Sequence, residues 1–145
     1  MIIQVPSLIL PAVWTVGTET ETVNDIVTHT SIEFNCEYLQ EKEIHILAIE
    51  AVAFGVPGNL WCWVELSPVP TTVSGIFWAA IGGGGGTLPP LAPAILVGTG
   101  VNLTQHTLLL PWVAHSSYAR VVLQTPVLVA TAVWTCQVVF SGASK

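Results

Sequence analysis

From Leu66 to Lys145 the sequence holds no acidic residue at all. Bases are almost as scarce: Lys42, Arg120 and Lys145 are the only three in 145 residues, and charged residues make up 8% of the chain, against about 25% in an ordinary globular domain. Three cations cannot neutralise a run of phosphates, so direct nucleic-acid binding is not expected. Large apolar patches left in water usually mark contact sites. A surface this poor in charge is therefore expected to meet other protein, or lipid.

Lipid is disfavoured by pattern. A spanning helix needs about 20 mostly apolar residues, and the best candidate is VVLQTPVLVATAVWTCQVVF, Val121 to Phe140. Its interior Pro126, its two glutamines and its many Val and Thr residues suit strands better than a helix, so membrane spanning is not expected. The opening MIIQVPSLILPAVW has no basic residue before its apolar run, and Pro6 and Pro11 interrupt it. No secretory leader is expected there.

Several chemistries lack their parts. The three cysteines, Cys36, Cys62 and Cys136, show no C-x-x-C spacing and read as small buried hydrophobes, although a bridge from Cys62 to Cys36 or Cys136 would suit adjacent strands. His29, His45, His106 and His115 lack the short spacings of metal ligands, and no metal or cofactor is expected. A Ser–His–Asp arrangement would have to use Asp25, the only aspartate, and HSSYAR at 115–120 lacks the glycines of a nucleophile elbow. Glu33, Glu37, Glu50 and Glu65 could supply a carboxylate pair, but Glu33 and Glu37 share a solvent-facing strand side. The expectation is a protein that is not an enzyme.

The run IGGGGGTLPPLAPA, Ile81 to Ala94, poses the question of phosphate binding directly. A phosphate-cradling loop needs a Lys and a Ser or Thr at fixed offset, opening a helix. Here Gly82, Gly83, Gly84, Gly85 and Gly86 lead instead to Thr87, Leu88, Pro89 and Pro90. Flexible glycine joined to stiff proline is the composition of a surface loop or arm, over residues 82–93. The NLT at Asn102 to Thr104 fits a glycosylation acceptor, a motif too short to be selective.

What the chain does contain is strand after strand. In SIEFNCEYL, Ile32, Phe34, Cys36 and Tyr38 alternate with Ser31, Glu33, Asn35 and Glu37, the two-residue period of a half-buried antiparallel strand. EIHILAIEAVAF is apolar on both faces and reads as central to a sheet. After the turn GVPGN, LWCWVEL points Trp61, Trp63 and Glu65 one way and Leu60, Cys62, Val64 and Leu66 the other. Eight or nine such runs separated by turn chemistry, with no capped amphipathic helix, predict one all-β domain over 1–145: an antiparallel β-sandwich, jelly-roll-like, of about eight strands. An extended N-terminal segment is expected over about residues 1–12.

Three features bear on function. Trp61 and Trp63 share a strand face and suit either an interface hot spot or a flat platform for sugar rings. Arg120 interrupts an apolar run, as do Glu50 and Glu65, and buried charges are usually paired, so Arg120 is expected to pair with Glu50 or Glu65. The charge is also split: nine acids against Lys42 give −8 up to Glu65, while Arg120 and Lys145 give +2 beyond it, within a net −6. This economy favours a self-assembling structural protein, a repeating subunit of a virus coat or extracellular filament. Its partners would be copies of itself, with or without other assembly subunits, and its place the virion or an extracellular assembly. A carbohydrate-binding sandwich using the surface tryptophans is the alternative.

Overall fold

The computed structural model describes residues 3–9, 14–17, 27–30, 33–37, 39, 41–52, 59–85, 90–112, 116–125 and 132–144. These form eleven strands: β1 (Ile3–Ile9), β2 (Trp14–Gly17), β3 (Val27–Thr30), β4 (Phe34–Asn35), β5 (Glu41–Val52), β6 (Asn59–Ser67), β7 (Ala79–Ala80), β8 (Ala94–Val97), β9 (Gln105–Trp112), β10 (Tyr118–Thr125) and β11 (Ala132–Ser144). All pairings are antiparallel. One sheet runs β1-β11-β5-β9 with β2 also on β11; the other runs β3-β10-β6-β7 with β4 on β10 and β8 on β6.

The strands reduce to eight. β1 and β2 lie along successive halves of β11, and β3 and β4 along successive halves of β10, so each couple is one interrupted strand; β7 spans only two residues. The chain passes from the first sheet to the second and back at every step except from β6 to β8. That is the path of a jelly roll, and the all-β sandwich anticipated from the alternating runs is what the structure shows.

Alternation explains the packing. On β5, Ile44, Ile46 and Ala48 point inward, as do Trp134, Cys136, Val138 and Phe140 on β11. They meet Leu60, Cys62 and Val64 of β6 and Ala119, Val121 and Leu123 of β10 across the sandwich. β5 is central, with β11 on one side and β9 on the other, as its two apolar faces suggest. The anticipated strand over 31–39 is shorter than its alternation: β4 covers Phe34–Asn35. The Asn35 side-chain oxygen accepts from the Glu37 N–H at 3.0 Å, a local turn that competes with the ladder.

All three cysteines are free and buried. Burial pushes the Cys136 thiol up to about 12 and raises that of Cys62, to which nearby Cys136 adds. It raises Cys36 as well, partly offset by the Lys42 ammonium. The thiolate is the reactive form, so at pH 8 the native protein is expected to leave all three unlabelled by a thiol reagent such as DTNB, and to release three equivalents once unfolded in guanidinium. Labelling of native Cys62 or Cys136 would contradict this packing.

Candidate interface and its buried charges

The outer face of the second sheet is where the sequence features gather. Trp61, Trp63 and Glu65 project there from β6, opposite Gln124, Val122 and Arg120 of β10. The segment between β6 and β8 folds back over this face. Trp63, 8% exposed, packs with Ala80 and Val122, and half-buried Trp61 borders them. The Trp63 indole N–H has no hydrogen-bond partner among the described residues.

Glu65 and Arg120 are direct cross-strand neighbours. Arg120 Nη2 and Nε donate to Glu65 Oε1 at 2.9 and 3.1 Å, with Glu65 only 2% exposed. The guanidinium also lies 4.3 Å from the centre of the Trp78 ring, so its second face is held by a cation–π contact. Trp78 donates its indole N–H to the Thr71 hydroxyl at 3.0 Å. The Thr71 hydroxyl and N–H both donate to the Glu33 carboxylate. A polar chain thus ties the β6–β7 segment to the residue just before β4.

The glycine run is folded against this pair. Gly82, Gly83, Gly84 and Gly85 all have positive φ, the region that favours glycine. The Ala80 N–H donates to Gly84 O at 2.6 Å, and the Gly83 N–H donates to Ala80 O at 3.0 Å. Leu91 then returns over the turn, its N–H donating to Gly83 O at 3.1 Å. Of the expected arm, Gly86 and Pro89 lie outside the described residues, while Pro90 is buried.

Glu50 sits at a second, separate site. It is 1% exposed, on the inward side of β5 and opposite Trp134. The Thr99 N–H and hydroxyl donate to its two oxygens at 2.5 and 2.9 Å. His106 Nε2 lies 2.9 Å from Oε1, its ring edge-on to Trp134 at 5.2 Å. Burial by itself would raise the Glu50 carboxyl, but the Thr99 and His106 hydrogen bonds and the His106 charge outweigh it, and the net shift is downward. Glu50 and Glu65 therefore have different partners on different sheets, and do not form a carboxylate pair.

The pH consequence follows from that direction. A carboxyl whose folded pKa lies below its unfolded value contributes stability at pH values above the unfolded value, near 4.5. The contribution is lost as pH falls through the folded value. Glu50→Gln keeps the shape but weakens the charge-assisted bonds, and is expected to cost about 2 kcal/mol at pH 7 and less at pH 3. Urea unfolding at both pH values checks this; equal losses would contradict it.

The remaining expected residues divide plainly. His45 lies 3.0 Å from Glu43 at the surface; the His29 side chain and the whole of His115 and Asp25 are outside the description. Among the described residues no group of three or more His, Cys, Asp and Glu could hold a metal ion. No described helix is long and apolar enough to cross a membrane. The sequence reading missed Trp78, Thr99 and His106 as partners of the buried charges, and nothing local in the sequence marks them. Asn102 lies exposed in the turn between β8 and β9.

The exposed large hydrophobics follow one rule. Among the described residues they are Val73, Ile76, Phe77, Ile81, Leu91, Ile95, Val97, Val101, Leu103 and Leu109. Every one falls in the stretch that contains no charged residue, from Leu66 to Ala119. Ile76 is 84% and Leu91 77% exposed. Ile95 and Val97 lie on β8, Val101 and Leu103 in the β8–β9 turn and Leu109 on β9, where the two sheets end. Val73, Ile76, Phe77, Ile81 and Leu91 lie instead on the segment folded over the second sheet, which reaches across to Glu33 beside β4.

No protein-family model and no curated protein matches this chain. Among solved structures, that of the infectious bursal disease virus Gx strain aligns over 99% of this chain and 31% of its own, at 10% identity and a TM-score of 0.48. The Gt strain structure aligns over 98% and 40%, at 10% identity and a TM-score of 0.31. The apo structure of BiXyn10A CBM1 aligns over 97% and 96%, at 11% identity and a TM-score of 0.37. This chain thus spans less than half the length of either viral chain. Likenesses of this size carry no functional argument, which has to come from the surface itself.

Proposed function

We propose that this chain is a structural subunit that assembles with copies of itself into a larger particle, such as a virus coat or an extracellular filament. The observation that carries the reading is the coincidence just described: every exposed large hydrophobic among the described residues falls in the charge-free stretch. Two copies each bearing net −6 repel over their acidic parts. They can approach through this region without setting like charges against each other, and water leaves apolar surface as they do. Stable interfaces bury about 1,200–2,000 Å² in total, and the segment over the second sheet and the β8–β9 edge each offer apolar side chains to such a contact.

A sugar platform on Trp61 and Trp63 has less behind it. Stacking needs open ring faces, and Trp63 is packed against Ala80 and Val122. The reading is tested by light scattering of the purified protein, with negative-stain microscopy on the same fractions. Large particles of defined shape are expected from the wild type. Leu91→Asp, at a side chain too exposed to support the fold, is expected to lower the mass to small species. A wild type that stays monomeric at high concentration would sink the reading.

A further inference from the structure

The strand β9 closes one edge of the first sheet, and the phase of its ladder fixes which backbone groups face outward. β9 pairs with β5 in continuous register, Ile49 opposite Gln105 and Lys42 opposite Trp112. One step beyond, the Glu50 N–H donates to Thr104 O at 2.9 Å while Glu50 O accepts from the Leu103 N–H at 2.7 Å. This is a bulge at Leu103, whose φ is positive, and it sets position 50 opposite 104 in the hydrogen-bonded phase of the ladder. Such pairs recur every second residue, so His106, Leu108, Leu110 and Trp112 turn their N–H and C=O groups toward β5. Gln105, Thr107, Leu109 and Pro111 turn theirs outward. Pro111, which has no N–H, falls in the outward set, as proline on an edge strand should.

The outward edge has no described cover. Gln105, Thr107, Leu109 and Pro111 are all exposed. Edge strands that stay single are commonly guarded by a charge, a bulge or an early proline. Residues 105–112 contain no charged residue, their register has no shift, the bulge at Leu103 comes before them, and the one proline comes at the far end. On the outer sheet face beside this edge lies an open depression of about 520 Å³, lined by His45, Leu47, Thr107, Leu109, Gln137 and Val139 among others.

We infer that β9 pairs antiparallel with β9 of a second copy about a two-fold axis through Thr107, joining the two first sheets into one continuous sheet. This inference rests on the assembly reading above and names one of its contacts. A second copy fits for two reasons. The register centred on Thr107 sets Gln105 opposite Leu109 of the other copy, so every outward N–H from Gln105, Thr107 and Leu109 meets an outward C=O. It also places Pro111 just beyond the last bonded pair, where its missing N–H breaks nothing. An isologous contact of this kind brings together two uncharged strands from chains that repel elsewhere.

Engineered cysteines on the full chain test the register, since Cys36, Cys62 and Cys136 are buried. Under mild oxidation Thr107→Cys is expected to give a covalent dimer as the main product. Gln105→Cys and Leu109→Cys alone should give little, and a mixture of the two should give dimer. As a second variant, Thr107→Lys sets two like charges across the axis at an exposed side chain. It should lose the species joined through β9 while keeping the wild-type circular dichroism.

Large wild-type particles with no Thr107→Cys dimer, or with Gln105→Cys alone dimerising instead, would overturn the β9 contact and leave the assembly reading standing. So would particles whose mass is untouched by Thr107→Lys. A monomeric wild type would overturn both and leave this edge to a strand from another protein.

Discussion

Arg120→Met is expected to lower folding stability by about 3–5 kcal/mol, the usual result of removing one partner from a buried ion pair. Glu65 is 2% exposed and would stay buried without the guanidinium that now donates two hydrogen bonds to it. The same change removes the cation beneath Trp78, so the segment over the second sheet loses an anchor at the same moment. The double variant Glu65→Leu, Arg120→Met separates the pair's net worth from the harm of halving it. Because apolar replacement of a buried pair is often neutral or better, the double variant should recover most of the loss. Urea midpoints at one fixed protein concentration measure both. A single variant within about 1 kcal/mol of wild type, the level of an exposed pair, would mean that water reaches Glu65.

Gly85→Ala and Gly82→Ala should differ sharply although both change a glycine with positive φ in the same run. At Gly85, φ is +81° and an added Cβ would stand 2.4 Å from Ala80 N and 2.8 Å from Ala80 Cβ. Backbone cannot yield as a flexible side-chain end can. The conformational strain of about 1–3 kcal/mol is joined by an overpacking term of about 1–3 kcal/mol. At Gly82, φ is +90° and nothing lies within 4 Å of the added atom, so only the strain remains. Thermal or urea unfolding is expected to rank wild type above Gly82→Ala and Gly82→Ala above Gly85→Ala. Equal effects would mean that the turn does not close on Ala80.

These two sites also show where sequence reading reached and where it stopped. The faces of β6 were legible because alternation needs no knowledge of neighbours: Leu60, Cys62 and Val64 inward, Trp61, Trp63 and Glu65 outward. That Arg120 needs a buried acid was legible too, since an isolated charge in an apolar run demands one. Which acid it takes was not. The choice depends on β10 lying beside β6 with Arg120 opposite Glu65, and a strand order is a property of the whole chain. Trp78 and His106 were illegible for the same reason, each meeting its charge from 42 and 56 positions away by fold alone. The glycine run was legible as an absence of phosphate chemistry. Its contacts with Ala80, and Leu91 returning over it, depend on the distant sheet beneath.

The position of β11 carries a consequence for how the molecule comes into being. It lies between β5 and the β1–β2 strand, and its partners reach back as far as Ile3, opposite Ser144. During synthesis β5 and β1 are therefore both complete while the strand that belongs between them is still to come. Contacts of such long sequence separation form slowly, on the millisecond-to-second scale typical of all-β domains. Until residues 132–144 have been made, open edges of apolar strands lack their partner and can pair wrongly. The arrival of this central strand therefore sets when those open edges are covered.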